Sequence, residues 1–403
     1  MSVKARLDRL RSESNRQAPA AYLLADRIGR LRVSQRSNSV GAGNGTTGRH
    51  GSLPGVEIAV GVRLVERRIT FGTQHGRYRL TSIESSVQPG LPEMADLDQQ
   101  RLLFLDTETT GLNGGSGTLA FLVGIARLQR GELIMHQYLL TRFDGEPAML
   151  DALAAEVRRD DTLVTYNGKS FDLPLLATRF RMIGAVDPLQ SLAHLDLLHP
   201  VRRLFAQHWD DCRLARAEQQ LLGFNRHNDL PGAQAPSAWF DWIRDGDAGR
   251  LAQVCRHNGW DLLSLALLLP RLAEIYRHPA AHGADPLAAA RGYRKAGRDA
   301  SALTLLIEQR ASLGVRGLTE LAVLLRRRGE LQTACAIWHD LCLRGDQTAR
   351  EQLAKHYEHT VGDYQRALAY AEALQEGDRK AHRCARLRRK LARSERQSQI
   401  AYG

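Results

Sequence analysis

Cysteine is scarce in this 403-residue chain: there are five, at positions 212, 255, 335, 342 and 384. The number is odd, the spacing is irregular and no C-x-x-C pair occurs. These features argue against a disulfide framework and against a paired-cysteine zinc site. Cys255 stands two residues before His257, but without a second pair it reads as a buried structural thiol. Long apolar runs are also missing. The longest, Leu119–Ala126 and Leu262–Leu269, are too short to span a bilayer. The N-terminus, MSVKARLDRLRSESNRQ, lacks the apolar core of a signal peptide. A cytoplasmic protein without a membrane partner is expected. Acidic residues are in deficit, with 44 Asp and Glu against 56 Lys and Arg, a formal net charge of +12. That balance favours a polyanion partner, nucleic acid ahead of an anionic membrane. A solvated, arginine-rich surface gives the same numbers.

The chain is long enough for two or three domains, and 43% hydrophobic residues can supply a core. Residues 1–55 read as a weakly ordered segment and linker, rich in Ser, Gly, Asn and Thr towards their end. The G-x-G-x-x-G match at Gly43–Gly48 has no strand before it and no helix after it, so it is not a nucleotide site. Residues 56–99 open with alternating, β-branched sequence, expected as a small β element beside the next domain. Residues 100–276 read as one α/β domain. Its strands are LLFLDTE, LAFLVGIARL, ELIMHQYLLT and TLVTYN, with helices at MLDALAAEVRRD, Leu173–Met182 and 249–276. The last helix is expected to end at Pro270 or shortly after it. Residues 285–375 repeat a helix, a glycine turn and a second helix. The turn glycines Gly297, Gly329 and Gly362 lie 32 and 33 residues apart, a period of the tetratricopeptide kind. Residues 376–403 are a basic tail, with nine Lys or Arg and one acid between Arg379 and Arg396.

The informative residues are Asp106 and Glu108, in RLLFLDTETTGL from Arg101 to Leu112. On a strand, residues i and i+2 face the same way. Two carboxylates on one face of a buried strand are costly unless a cation neutralises them. Mg²⁺ and Mn²⁺ favour such oxygen ligands. Asp172, in YNGKSFDLPLL, is a further candidate, although Asp-Leu-Pro is also a helix start. Asp261, in HNGWDLLSLA, lies four residues after His257, one helical turn away. That pair reads equally as a solvent-facing His–Asp stripe. Four acids and a His on a mixed sheet fit two-metal phosphodiester hydrolysis, with the ions roughly 3.5–4 Å apart. Asp106 would bridge the ions, Glu108 and Asp261 would complete one, Asp172 would support the other, and His257 would act as general base. Asp196 is a candidate outer acid.

The segments FLDTETTGL, YNGKSFDLPLL and HNGWDLLSLA, in this order, resemble the three motifs of the DEDD exonuclease superfamily. GGSGT at 114–118 adds a likeness to the bacterial YprB/MrfB-like proteins. The resemblance covers residues 100–276 well and 285–375 more loosely. It implies an RNase H-like mixed sheet flanked by helices, followed by an all-α tetratricopeptide-like repeat domain. It also implies 3′→5′ exonuclease activity with two Mg²⁺ or Mn²⁺ ions. Asp106, Glu108, Asp172 and Asp261 would be the metal ligands, and His257 the base. One departure stands out: the His branch of the superfamily usually has its His five residues before the last Asp, and here the spacing is four. By analogy, Thr107, Thr109 and Leu112 would position the terminal nucleotide, and Tyr166, Asn167 and Lys169 would line the approach to Asp172 as further substrate-binding candidates, Lys169 reading either as a phosphate contact or as a surface lysine in a turn. DNA is expected over RNA, in DNA repair beside a helicase partner. An exoribonuclease, or an inactive nuclease fold serving as a repeat-based interaction protein, are the other readings.

Overall fold

The computed structural model describes residues 52–81, 91–93, 98–111 and 117–402. The reading of residues 1–51, including Gly43–Gly48, and that of Leu112 lie outside them. The chain divides into two compact units between Glu274 and Ile275.

The first unit is built on a seven-stranded sheet of order β1-β2-β7-β6-β5-β8-β9. Its strands are β1 (Val56–Ala59), β2 (Val62–Thr70), β5 (Leu102–Thr109), β6 (Ala120–Gln129), β7 (Glu132–Leu140), β8 (Thr162–Thr165) and β9 (Ala193–Asp196). A two-residue pair, β3 (Gln74–His75) and β4 (Tyr78–Arg79), stands apart. Strands β5, β6 and β7 form an antiparallel meander, and β8 and β9 continue parallel to β5. Strands β1 and β2, expected as an element beside the domain, are part of this sheet. Strand β2 pairs with β7 over its whole length, from Val62↔Leu140 to Thr70↔Glu132. The alternation in β2 is that of a strand with one face on the core.

Strand β5 is central. Leu102 to Leu105 are fully buried, because sheet neighbours and helices cover both faces. Its polar end then emerges at one edge of the sheet. Helix α1 (Glu146–Glu156) packs on β7 and β2. Helix α2 (Asp172–Met182) follows β8, and its Arg179 makes a buried two-pronged pair with Glu146, with both bonds at 2.5 Å. Helices α3 (Leu198–Phe205) and α4 (Leu214–Ala217) follow β9. Helix α5 (Ala235–Asp245) buries Trp239, whose Nε1–H donates to the Leu140 carbonyl at 2.7 Å.

Helix α6 runs from Ala248 to Arg277 with Pro270 inside it, so the expected stop at Pro270 does not occur. Proline removes one N–H, but buried apolar side chains on both sides of it hold the helix by packing. They are Leu265 to Leu269 before it and Leu272, Ala273, Ile275 and Tyr276 after it.

The second unit is helical. It holds three helix pairs: α7 (Pro286–Lys295) with α8 (Asp299–Glu308), α9 (Val315–Arg328) with α10 (Leu331–Leu343), and α11 (Gln347–His356) with α12 (Tyr364–Glu372). Helix α13 (Asp378–Tyr402) carries the basic tail. The periodic glycines Gly297, Gly329 and Gly362 have φ of 75°, 91° and 78°, the left-handed conformation that ends each first helix. Among the described residues no helix is long and apolar enough to cross a membrane.

Candidate active site

The polar end of β5, the start of α2 and the third and fourth turns of α6 meet at one place. Strand β5 supplies Asp106 and Glu108, α2 supplies Asp172 at its first residue, and α6 supplies His257, Asn258 and Asp261. Ligand atoms of Glu108, His257 and Asp261 lie within 4.8 Å of one another. Asp106 and Asp172 stand outside that tight group but face the same cluster electrostatically. Asp106 is held well above the usual carboxylate range, first by burial and then by the charges of Asp261, Asp172 and Glu108. Glu108 is raised by burial, then by Asp261 and Asp172. Asp172 is pushed up to about 6, chiefly by burial and against the hydrogen bond it accepts from Thr107. The common cause is that water is excluded while like charges converge.

Each acid has its own support. Asp106 Oδ2 accepts from Asn258 Nδ2 at 2.8 Å. Asn258 is in turn fixed by Gln137 Nε2, which donates to its Oδ1 at 2.8 Å and to the Cys255 carbonyl at 2.7 Å. This clamp needs Gly124, which is paired with Asp106 across β5 and β6. A Cβ on Gly124 would lie 2.1 Å from Asn258 Oδ1. Asp172 Oδ1 accepts from the Thr107 hydroxyl at 2.5 Å. The turn before α2 is organised by Asp196, whose carboxylate accepts the N–H groups of Asn167 at 2.7 Å, Lys169 at 3.1 Å and Leu198 at 3.1 Å. Asn167 is left-handed there, with φ of 68°, a conformation its short polar side chain tolerates.

His257 is oriented from behind. Its Nδ1 lies 2.7 Å from Asp229 Oδ2, which leaves Nε2 3.5 Å from Asp261 Oδ2 and 3.9 Å from Glu108 Oε1. Arg226 is the cation of the site. It bonds Asp261 and makes a two-pronged pair with buried Glu218, both bonds at 2.8 Å. Ser264 donates to Glu218 at 2.5 Å and meets His75 Nε2 at 2.8 Å. His75, buried and beside Arg226, is depressed to about 4.

The structure thus brings Asp106, Glu108, Asp172, His257 and Asp261 together. Of the residues singled out for nucleotide contact, Thr107 is committed to Asp172, and Thr109 donates to the Gly111 carbonyl at 2.9 Å. Asn167 lines the cleft, and Lys169 is exposed at the same turn. Asn258, Gln137, Asp229, Arg226 and Glu218 join the site without being expected from the motifs. Asn258 has a signal in the sequence: with His257, Asp261 and Ser264 it forms a polar stripe at helical spacing in an apolar helix. The loop residues Arg226 and Asp229 have none.

The residues fit divalent cations. Four carboxylates supply hard oxygen donors with His257 beside them, and the Arg226 guanidinium meets Asp261, Asp229 and the His257 ring.

A family model described as the RNase H superfamily matches residues 103–273. The protein named YprB of Bacillus subtilis (strain 168) is 32% identical over 318 residues, covering 74% of this chain and 76% of its own. A family B DNA polymerase from the archaeon Pyrobaculum calidifontis shares 16% identity at a TM-score of 0.34, over 52% of this chain and 29% of the polymerase. That likeness is too loose to bear on the activity.

Proposed function

From the premise that this chain belongs to the family of YprB, with a domain of the RNase H superfamily, we propose that it is a metal-dependent 3′→5′ exonuclease hydrolysing phosphodiester bonds of DNA. The observation that carries the reading is the convergence of four buried or half-buried acids at the end of β5. Such a cluster is unfavourable in isolation and favourable around divalent ions. Asp106, Glu108, Asp172 and Asp261 would hold two Mg²⁺ or Mn²⁺ ions, which supply Lewis-acid charge at the scissile phosphate. Asn258 fixes the rotamer of Asp106, and Thr107 that of Asp172. With Nδ1 protonated towards Asp229, His257 would offer Nε2 as general base, and Arg226 Nη1, 3.3 Å from Nε2, would have to give way to the attacking water. The four-residue spacing places His257 and Asp261 on one face of α6, with Nε2 directed at the acids.

DNA is favoured over RNA, and a repair role with a helicase partner is the setting the family resemblance supplies. The helical second unit, read as tetratricopeptide-like repeats, would dock the partner. An inactive fold is disfavoured because all four acids and the His are present.

The test is degradation of a single strand labelled at its 3′ end in Mn²⁺ or Mg²⁺, stopped by EDTA. Asp172→Ala should abolish activity with an unchanged circular dichroism spectrum; full activity in that variant would sink the assignment. Matched RNA and 5′-labelled substrates read out sugar preference and polarity.

A further inference from the structure

A cleft of about 650 Å³ leads away from the acids. Asp106, His257 and Asp261 line one side, and the segment 202–213 lines the other. Nothing in the chemistry above uses that segment, yet its composition is specific. Arg202 and Arg213 both line the cleft and are exposed, and neither has a carboxylate partner among the described residues. Two acids, Asp210 and Asp211, line the same cleft, and neither pairs with the Arg202 or Arg213 guanidinium. Asp210 lies 3.4 Å from Arg216, and Asp211 accepts the backbone N–H of Arg213 at 2.9 Å. Trp209, between the arginines in the sequence, lines the same cleft. Its indole stacks on buried Phe205, with centroids 4.4 Å apart and planes at 6°. One face is thereby pinned to the core while the ring still lines the cleft. The Tyr166 hydroxyl donates to the Cys212 carbonyl at 2.5 Å, tying the segment to the turn that presents Asp172.

We propose that residues 202–213 form a subsite for single-stranded nucleic acid, in which an unpaired base stacks on Trp209 and backbone phosphates meet Arg202 and Arg213. A rigidly backed aromatic sharing a cleft with two guanidinium groups that have no carboxylate partner is what an unpaired strand recognises. A base inside a duplex has both faces covered and cannot reach the indole. The proposal rests on the nuclease reading for its location, since the subsite would feed a strand end to the acids.

The experiment uses the full chain in EDTA, so that binding is measured without hydrolysis. The probe is a fluorescein-labelled oligothymidylate of about 12 nucleotides, beside an oligouridylate of equal length and a blunt duplex. Tighter binding of the single strands than of the duplex is expected; equal or tighter duplex binding overturns the proposal. Trp209→Ala should weaken single-strand binding about tenfold, and Trp209→Phe should recover most of it, because the ring and its backing remain. Wild-type affinity in Trp209→Ala overturns the stacking. The double variant Arg202→Ala, Arg213→Ala should flatten the salt dependence, by about 0.7 in log–log slope for each phosphate that is no longer neutralised. An unchanged slope overturns the phosphate pairing. Binding as described without metal-dependent cleavage would refute only the exonuclease; cleavage with unperturbed binding in these variants would refute only the subsite.

Discussion

At the scale of single residues, the site is an arrangement of second partners. Asp229 touches no other predicted ligand, but it decides where His257 points. Asp229→Asn should lower kcat by about 10–100-fold while leaving KM close to wild type, the pattern expected when a supporting partner is removed. A parallel change in KM would reassign Asp229 to substrate binding. Gly124 is a second case. Its missing Cβ is the space that Asn258 Oδ1 occupies, and the neighbour there is a clamped amide with no room to yield. Gly124→Ala should cost about 1–3 kcal/mol in a denaturant titration and lower activity by displacing Asn258 from Asp106. A variant that keeps both wild-type stability and activity would show that the clamp is dispensable.

At the scale of elements, helix α6 carries the most function per residue. Its apolar faces pin it along the first unit, so the stripe His257, Asn258, Asp261 and Ser264 is held rigidly against β5 and the loop bearing Arg226. The stripe could be seen in the sequence because helical spacing is short-range. The course of the helix through Pro270 could not, because packing overrides the local proline rule. The helix pairs of the second unit depend on local geometry instead. Gly329 sits at φ of 91° with nothing near its absent Cβ, so a substitution there meets only backbone strain. Gly329→Ala should destabilise the protein by about 1 kcal/mol in thermal or denaturant unfolding, with no effect on metal-dependent chemistry. A neutral result would mean that the α9–α10 turn relaxes to another conformation.

At the scale of the whole molecule, the buried acids link stability to pH and, on the proposed function, to metal. Asp172 is raised from the usual 3.8 to about 6, so the folded protein holds a proton there that the unfolded chain has released. Stability of the metal-free protein from this group is therefore present at low pH and lost as pH rises through that window. Bound cations reverse the sign, since they displace the protons. The gain in melting temperature on adding Mn²⁺ should thus be larger at about pH 7.5 than at about pH 5. Comparing the two states at each pH cancels groups such as Glu66 and Glu358, which are lowered to about 2 and act in the opposite sense. A metal-induced shift independent of pH would remove the acids from the metal site. The sequence alone determined strands β5 to β8 of the α/β domain, the helical C-terminal third with its glycine period, and the acids of the DxE strand. Each of these rests on short-range spacing: two residues in a strand, three or four in a helix, about thirty-three in a repeat. Only the tertiary structure decided that β1 and β2 complete the main sheet, that Asp229 and Arg226 complete the site, and that Thr107 serves Asp172. Those outcomes depend on which distant segments meet, and that is set by packing around the core rather than by any pattern within a segment.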